Sequence, residues 1–161
     1  MILSLDPGQQ GLSWMLAGAT GNLISGAVIP LKGRDLWAQA MHAITQMPRP
    51  DQVRHVACER MWFYPQRSSA KMSAEVRAIL DLQAIGGLVS GYYRCPVSYY
   101  RPSEWMGGSL PNHVVKGRVE MFLSLEEMEV FSEILGATPK ELRHNAYDAA
   151  GILLRHLGRW R

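Results

Sequence analysis

The sequence predicts an α/β fold with a central five-stranded mixed sheet and helices on both faces. Two observations predict it. Three short apolar runs separated by turn-forming residues open the chain, as in an antiparallel meander. Segments with helical periodicity then alternate with further apolar runs, as in a sheet that helices cover on both sides. The 161 residues are 47% hydrophobic, so we expect residues 1–161 to form a single domain with a real core.

The antiparallel strands and the first helix open the chain. We expect the first three strands at residues 2–6, 11–17 and 23–29. The turn formers Asp6-Pro7-Gly8 and Thr20-Gly21-Asn22 separate them. From Arg34 the apolar residues recur at helical spacing, and Pro48 stops that segment.

A strand, a long helix and a fifth strand follow. The fourth strand is predicted at Val53–Glu59 and the fifth at Cys95–Tyr100. Between them an amphipathic helix begins near Ala70, and Gly86-Gly87 weakens its end. Its apolar face is predicted to consist of Met72, Val76, Ile79 and Leu80.

Capping signals mark two helices near the C-terminus. Ser124-Leu125-Glu126-Glu127 is a capping box, and that helix should end near Gly136. Thr138-Pro139-Lys140-Glu141 predicts the start of a final helix that runs to about Leu157. The segment from Trp105 to Pro111 contains two glycines and is predicted to be a mobile loop.

Three acidic residues stand where they can converge on one edge of the sheet. Asp6 and Glu59 each close an apolar run, and Asp148 lies on the final helix. Short connections and right-handed crossovers would place the first and fourth strands side by side, with both acids at one edge of the sheet. Small residues around Asp148 would let its helix pack closely there. Clustered carboxylates repel each other, and a hard divalent cation relieves that repulsion.

Each of these residues also has a purely structural interpretation. Asp6 before Pro-Gly initiates turns, and Glu59 at a strand end can pair with Arg60. Asn145 and Asp148 fit the N-cap and first turn of the last helix. Three independent structural roles would not predict one shared site, so the joint arrangement favours metal binding.

The composition indicates which partners and which cellular compartment to expect. A net charge of +3 is compatible with binding polyanions. No apolar run is long enough to span a membrane, and no basic leader precedes the first apolar run, so no signal peptide is expected. Cys58 and Cys95 are expected to be free thiols, which favours a cytoplasmic protein of a bacterial cell or a phage-infected host.

Three motifs in order resemble the RuvC family of Holliday-junction resolvases, and the element order resembles the ribonuclease-H-like fold. The motifs are Ile2-Leu3-Ser4-Leu5-Asp6-Pro7-Gly8, Glu59-Arg60-Met61-Trp62 and Asn145-Ala146-Tyr147-Asp148-Ala149. The resemblance covers almost the whole chain and looks closest to small phage-type members. It implies a homodimeric, metal-dependent endodeoxyribonuclease of DNA recombination and repair that nicks branched DNA, such as four-way junctions, flaps or forks.

The resemblance also implies the metal ligands. Two Mg²⁺ or Mn²⁺ ions would be held by Asp6, Glu59 and Asp148. The family commonly has an acid or His three residues before the last Asp, where this chain has Asn145. His144, four residues before Asp148, is the alternative fourth site residue, as a nitrogen ligand or proton donor.

DNA contacts are expected from an aromatic residue and from basic residues. Trp62 matches a family aromatic that stacks on bases opened at the junction centre. Basic side chains would contact phosphates without reading sequence, and we expect them among Arg60, Arg67, Lys71, Arg77, Lys116 and Arg118.

Two other functions compete with a resolvase. An actin-like or sugar-kinase ATPase also opens with Asp and Gly after a first strand, but it needs a duplicated domain and this chain has no repeat. A non-catalytic or weakly catalytic branched-DNA-binding protein with a degenerate metal site stays open, because Asn145 carries no charge.

Overall fold

The sheet is mixed and has five strands. The computed structural model of the chain describes residues 1–8, 11–31, 35–60, 69–106 and 110–160, without the side chains of residues 36 and 69–78. The strands are β1 (Ile2–Pro7), β2 (Gly11–Ala17), β3 (Leu23–Pro30), β4 (His55–Glu59) and β5 (Val97–Tyr100). Their order is β3-β2-β1-β4-β5. β1, β2 and β3 pair antiparallel, whereas β4 pairs parallel to both β1 and β5. This topology is ribonuclease-H-like, so the predicted fold class is confirmed.

Helices cover both faces of the sheet. They are α1 (Leu36–Ile44), α2 (Ser69–Tyr93), α3 (Pro102–Trp105), α4 (Asn112–Phe122), α5 (Leu125–Ala137) and α6 (Arg143–His156). Alternate residues of β1 point to opposite faces, as in any strand. Leu3 and Leu5 pack in a core with α1 and α2, whereas Ser4 donates a hydrogen bond to the Ala149 carbonyl of α6. Asp6 has the parity of Ser4 and therefore faces α6.

The long helix differs from its prediction in length and in orientation. α2 continues through Gly86-Gly87 to Tyr93. Gly86 lies against the sheet, where a Cβ would be 3.5 Å from Cys58 Sγ, so this glycine permits close packing and does not end the helix. The predicted apolar face is wrong at Leu80, which is 62% exposed. The buried large apolar residues in the described part of α2 are Leu82, Ile85, Val89 and Tyr93, and the side chains of Met72 and Val76 lie outside the described residues.

The predicted loop from Trp105 to Pro111 is wrong at its start. Trp105 ends the short helix α3 and is 1% exposed, while residues 107–109 lie outside the described ones. The following helix α4 was not predicted. Its buried residues are Val115 and Val119 only, so its sequence lacks a strong apolar stripe.

The two capping predictions have different outcomes. The Ser124 capping box is confirmed, since Ser124 Oγ accepts from the Glu127 amide at 3.3 Å and Glu127 Oε2 accepts from the Ser124 amide at 2.8 Å. The predicted start at Thr138 is wrong. The Thr138 hydroxyl donates to the Ile134 carbonyl, and Lys140–Leu142 form a 3₁₀ turn before α6 begins.

β4 and β5 both begin later in the chain than predicted. β4 begins at His55, after the 3₁₀ turn at Pro50–Gln52, and β5 begins at Val97, after Pro96.

The two cysteines are unpaired. Cys58 is buried and Cys95 half-buried, and both are free thiols. None of the helices in the described part of the chain is long and apolar enough to cross a membrane.

Candidate active site

Parallel pairing brings Asp6 and Glu59 together. Leu5 lies opposite Cys58 in the β1–β4 register, so the residues that follow them in each strand meet at the same edge of the sheet. Both carboxyl groups are buried, with Asp6 5% and Glu59 8% exposed. The two side chains are close enough for each to act on the pKa of the other.

Helix α6 brings the third acid to the same place. The hydrogen bond from Ser4 Oγ to the Ala149 carbonyl is 2.7 Å long and ties α6 to β1 two residues before Asp6. Ala149 and Ala150 are buried against the sheet, and their small side chains let the helix axis approach it. Asp148 is therefore close enough for its charge to act on Asp6.

The surroundings of the three acids raise all three of their pKa values. Burial, followed by the charges of Glu59 and Asp148, raises the pKa of Asp6 well above its usual range. Burial also raises the pKa of Glu59, although hydrogen bonds from Asp6 and Trp105 oppose this. Burial and the Glu59 charge raise the pKa of Asp148 to about 7. Within the described part of the chain, no basic side chain forms a salt bridge with any of the three.

Trp105 is a site residue that the sequence did not indicate. Its indole Nε1 donates a hydrogen bond to Glu59 Oε1 at 3.2 Å. The ring packs against α6 at Gly151, where any Cβ would lie 2.5 Å from it. Gly151 thus makes room for Trp105, and Trp105 holds the Glu59 carboxylate. No local sequence signal pairs a tryptophan with a glutamate 46 residues earlier.

Asn145 lies at the turn that follows Asp6. It is 5% exposed, and a Cβ on Gly8 would lie 3.0 Å from its Nδ2. The same Cβ would be 2.8 Å from the Gly11 carbonyl, which accepts the Gly8 amide at 2.9 Å. Glycine is thus required here by close approach. The N-cap interpretation of Asn145 is wrong, because α6 begins at Arg143.

His144 and Lys116 line a cleft beside the acidic cluster. The cleft lies between α4 and α6 and has a volume of about 170 Å³. Its lining residues are Asn112, His113, Val115, Lys116, His144, Tyr147 and Asp148. Lys116 Nζ is 3.9 Å from Glu120 and 6.0 Å from the centre of the Tyr147 ring. His113, which had no sequence signal, is therefore close to the site.

The other predicted DNA-binding residues are placed only in part. Arg60 is exposed directly after Glu59, and its amide donates to the Tyr100 carbonyl at 2.7 Å. Trp62 and Arg67 lie outside the described residues. Lys71 and Arg77 belong to α2, but their side chains are not described. Arg118 lies over the Trp160 ring, with 5.9 Å between its guanidinium carbon and the ring centre.

The donor set fits a hard divalent cation. Among the described residues, no three His, Cys, Asp or Glu side chains already surround one point at metal-binding distances. Asp6 and Glu59 are buried side by side, and Asp148 is half-buried beside them. A bound cation would relieve the repulsion among these three carboxylates, and carboxylate oxygens are the ligands that Mg²⁺ prefers.

Two solved structures of RuvC align with this chain over nearly its whole length. The structure of Thermus thermophilus RuvC in complex with a Holliday junction substrate aligns with a TM-score of 0.48 and 16% identity, covering 100% of this chain and 99% of that one. A second Thermus thermophilus RuvC structure aligns with a TM-score of 0.45 and 17% identity, covering 99% and 98%. No protein-family model and no curated protein matches the chain.

Proposed function

We propose that this protein is a metal-dependent, structure-specific endodeoxyribonuclease that nicks or resolves branched DNA such as Holliday junctions. One observation carries the proposal. Asp6, Glu59 and Asp148 come from two strand ends and a helix, yet they form one cluster in which all three pKa values are raised, without a basic partner among the described residues. Such a cluster raises the free energy of the folded state unless a cation binds it.

The acidic cluster would bind two Mg²⁺ or two Mn²⁺ ions. Bound there, the ions would activate a water molecule, neutralise the phosphate and stabilise the leaving oxygen. Asp6, at the centre of the cluster, would hold both ions, while Glu59 and Asp148 would each hold one. Asn145 would contribute its amide oxygen. His144 would serve instead as a nitrogen ligand or proton donor from the cleft.

The chain itself orients these ligands. Trp105 fixes one oxygen of Glu59 through its indole N–H, so the other oxygen is left to a cation. The hydrogen bond from Ser4 Oγ to the Ala149 carbonyl fixes the distance between α6 and β1. Because both partners are buried, water does not compete with these contacts. The ligands are therefore held by supports whose removal should weaken metal binding.

The cleft between α4 and α6 offers a path for the DNA backbone next to Asp148. Lys116 and His144 line it, and Arg60 is exposed beside Glu59. These side chains would contact phosphates, together with Arg67 and Lys71, and Trp62 would stack on an unpaired base. Binding should then weaken steeply with salt, since phosphate contacts release counterions.

We also propose that two copies associate through the exposed apolar face of α1 and α2. Trp37 is 60% exposed and Met41 40%, and they border a groove of about 320 Å³. Leu80 is 62% exposed, while a Cβ on Gly87 or Gly91 would meet nothing within 4 Å. The face thus carries both projecting side chains and hollows, as a twofold interface between identical surfaces requires. Two active sites would allow paired nicks across a junction.

The proposed activity is tested by nicking assays on four-way, three-way, flap and linear duplex substrates, with Mg²⁺, with Mn²⁺ and with EDTA. We expect cleavage of branched substrates only when a divalent cation is present. Asp6→Asn should abolish cleavage while leaving junction binding largely intact. Asp51→Asn, which removes an exposed carboxylate, is the matched control and should cleave normally. Cleavage in EDTA, or by Asp6→Asn, contradicts the proposal.

The same assay separates the second candidate function, a branched-DNA-binding protein without catalysis. The neutral Asn145, buried beside Gly8, is the observation that favours it. Tight, branch-selective binding without nicking in either metal would establish that candidate. If Asn145 supplies an amide oxygen, Asn145→Asp should stay active and Asn145→Ala should lose activity. A dead His144→Ala with an unaffected Asn145→Ala would reverse that assignment.

The interface is tested by sedimentation of wild-type protein and of Leu80→Glu. We expect a dimer for the wild type and a monomer for Leu80→Glu, because the charge would be buried between two copies of α2. Leu125→Glu changes an 87% exposed leucine on α5 and should remain dimeric. A dimeric Leu80→Glu protein would place the interface elsewhere.

A further inference from the structure

Ser13 of β2 lies directly opposite Asp6. The two are register partners in the antiparallel pair of β1 and β2. Side chains of such partners leave the sheet on the same face, with Cβ atoms about 4.5–5.5 Å apart. That face is the one covered by α6, because Ser4, two residues before Asp6, bonds to the Ala149 carbonyl. The Ser13 hydroxyl therefore points into the space that holds the acidic cluster.

This hydroxyl is buried without a partner. Ser13 is 0% exposed, and its Oγ, like Trp14 Nε1 and Ser90 Oγ, has no hydrogen-bond partner among the described residues. Its neighbours along the strand, Leu12 and Trp14, are apolar and pack on the opposite face. A buried polar group without a partner is rare in folded proteins and points to a bound group or to a function.

We propose that Ser13 is a positioning residue that acts through Asp6, donating a hydrogen bond to the Asp6 carboxylate when a divalent cation is bound. The inference rests on the proposed function. In the structure Asp6 and Ser13 are buried opposite each other on the same face of the sheet. A cation bound to Asp6 would use one of its oxygen lone pairs and leave others that need a buried donor. Ser13 is the buried donor across the strand, and a change of its side-chain rotamer would turn its hydroxyl toward Asp6.

Direct Mn²⁺ binding, measured by calorimetry on the whole protein without DNA, tests this role. We expect Ser13→Ala to bind Mn²⁺ about 10–100-fold more weakly than wild type, as for other residues that orient metal ligands. Ser13→Cys keeps the size of the side chain but donates poorly, so it should also bind more weakly. Ser90→Ala removes another buried serine, on α2 across the sheet, and should bind normally.

The outcomes separate this inference from the proposed function. Wild-type Mn²⁺ affinity in Ser13→Cys overturns the positioning role, because it would show that the side chain at this position only fills space. Wild-type Mn²⁺ affinity in Ser13→Ala has the same meaning, provided that circular dichroism shows this variant to be folded. If Ser13→Ala does not fold, the Mn²⁺ affinity of Ser13→Cys alone tests the role. Asp6→Asn is measured in parallel. If it binds Mn²⁺ like wild type, the proposed metal site itself fails. If it loses binding while both Ser13 variants keep it, only the role of Ser13 fails.

Discussion

The protein buries carboxylates in two regions, and their surroundings act on them in opposite directions. Glu127, 2% exposed at the start of α5, accepts two hydrogen bonds from Arg159, at 2.6 and 2.7 Å, and others from the amides of Leu23 and Ser124. Despite burial, these partners lower the pKa of Glu127 to about 2. Asp6 and Asp148 are shifted the other way.

The difference shows which buried charge serves the fold. The Glu127 carboxylate joins the start of β3, the cap of α5 and the C-terminal segment, so its ionised form stabilises the protein. The acidic cluster has no basic partner among the described residues, and its ionised form destabilises the cation-free protein. An ionisable residue whose charged form destabilises the folded protein is a candidate functional residue.

The largest expected effect comes from breaking the Glu127–Arg159 pair. Arg159→Met should lower the free energy of unfolding by about 3 kcal/mol, because it leaves a buried carboxylate without its cation. Asp6→Asn should leave the cation-free protein as stable as wild type or more stable, since it removes a repelled charge. Urea unfolding in EDTA measures both. Arg49→Met, which breaks an exposed pair with Asp51, is the control and should change stability by less than about 1 kcal/mol. A large loss in Asp6→Asn would contradict the comparison.

The second effect is opposite pH dependence in the two regions. Asp148 titrates near 3.8 when unfolded and near 7 when folded, so its contribution to stability is present below pH 3.8 and is lost as the pH rises to about 7. Glu127 contributes above pH 4.5, and that contribution is lost as the pH falls toward 2.

Melting temperature against pH in EDTA checks this pH dependence. The difference between wild type and Asp148→Asn should grow between pH 4 and pH 7 to the disadvantage of wild type. Mg²⁺ or Mn²⁺ should reduce that difference, because a bound cation stabilises the ionised cluster. A difference that is constant across this range, with or without metal, would show that Asp148 does not share the buried cluster.

The smallest effect concerns the support of Glu59. Trp105→Phe removes the indole donor but keeps an aromatic ring beside Gly151, so we expect about 1 kcal/mol of lost stability. The Mn²⁺ concentration for half-maximal cleavage should rise about 10-fold or more. Trp160→Phe, at a second buried indole 6.0 Å from Trp105, is the control and should leave the metal requirement unchanged. Equal metal requirements in both variants would remove the positioning role of Trp105.

Local sequence patterns correctly predicted several strands and a helix start, because these elements depend on residues that are close together in the sequence. The apolar runs that end at Asp6 and Glu59 are strands, and the Ser124 capping box begins a helix. Patterns failed where distant segments decide the outcome. Leu80 fits an apolar stripe at helical spacing, but α2 buries Ile85 and Val89 in the core, and Leu80 stays exposed.

By itself, the sequence determined the order of the elements and the positions of three acids at strand ends and on the last helix, because periodicity and turn chemistry are local. Only the tertiary structure decided how these acids are charged. The raised pKa of Asp148 and the lowered pKa of Glu127 depend on burial and on partners remote in sequence, such as Arg159. The contact of Trp105 with Glu59 and the unpaired hydroxyl of Ser13 likewise exist only where strands and α6 meet. Electrostatic free energy depends on distance and burial in space, which no local pattern contains.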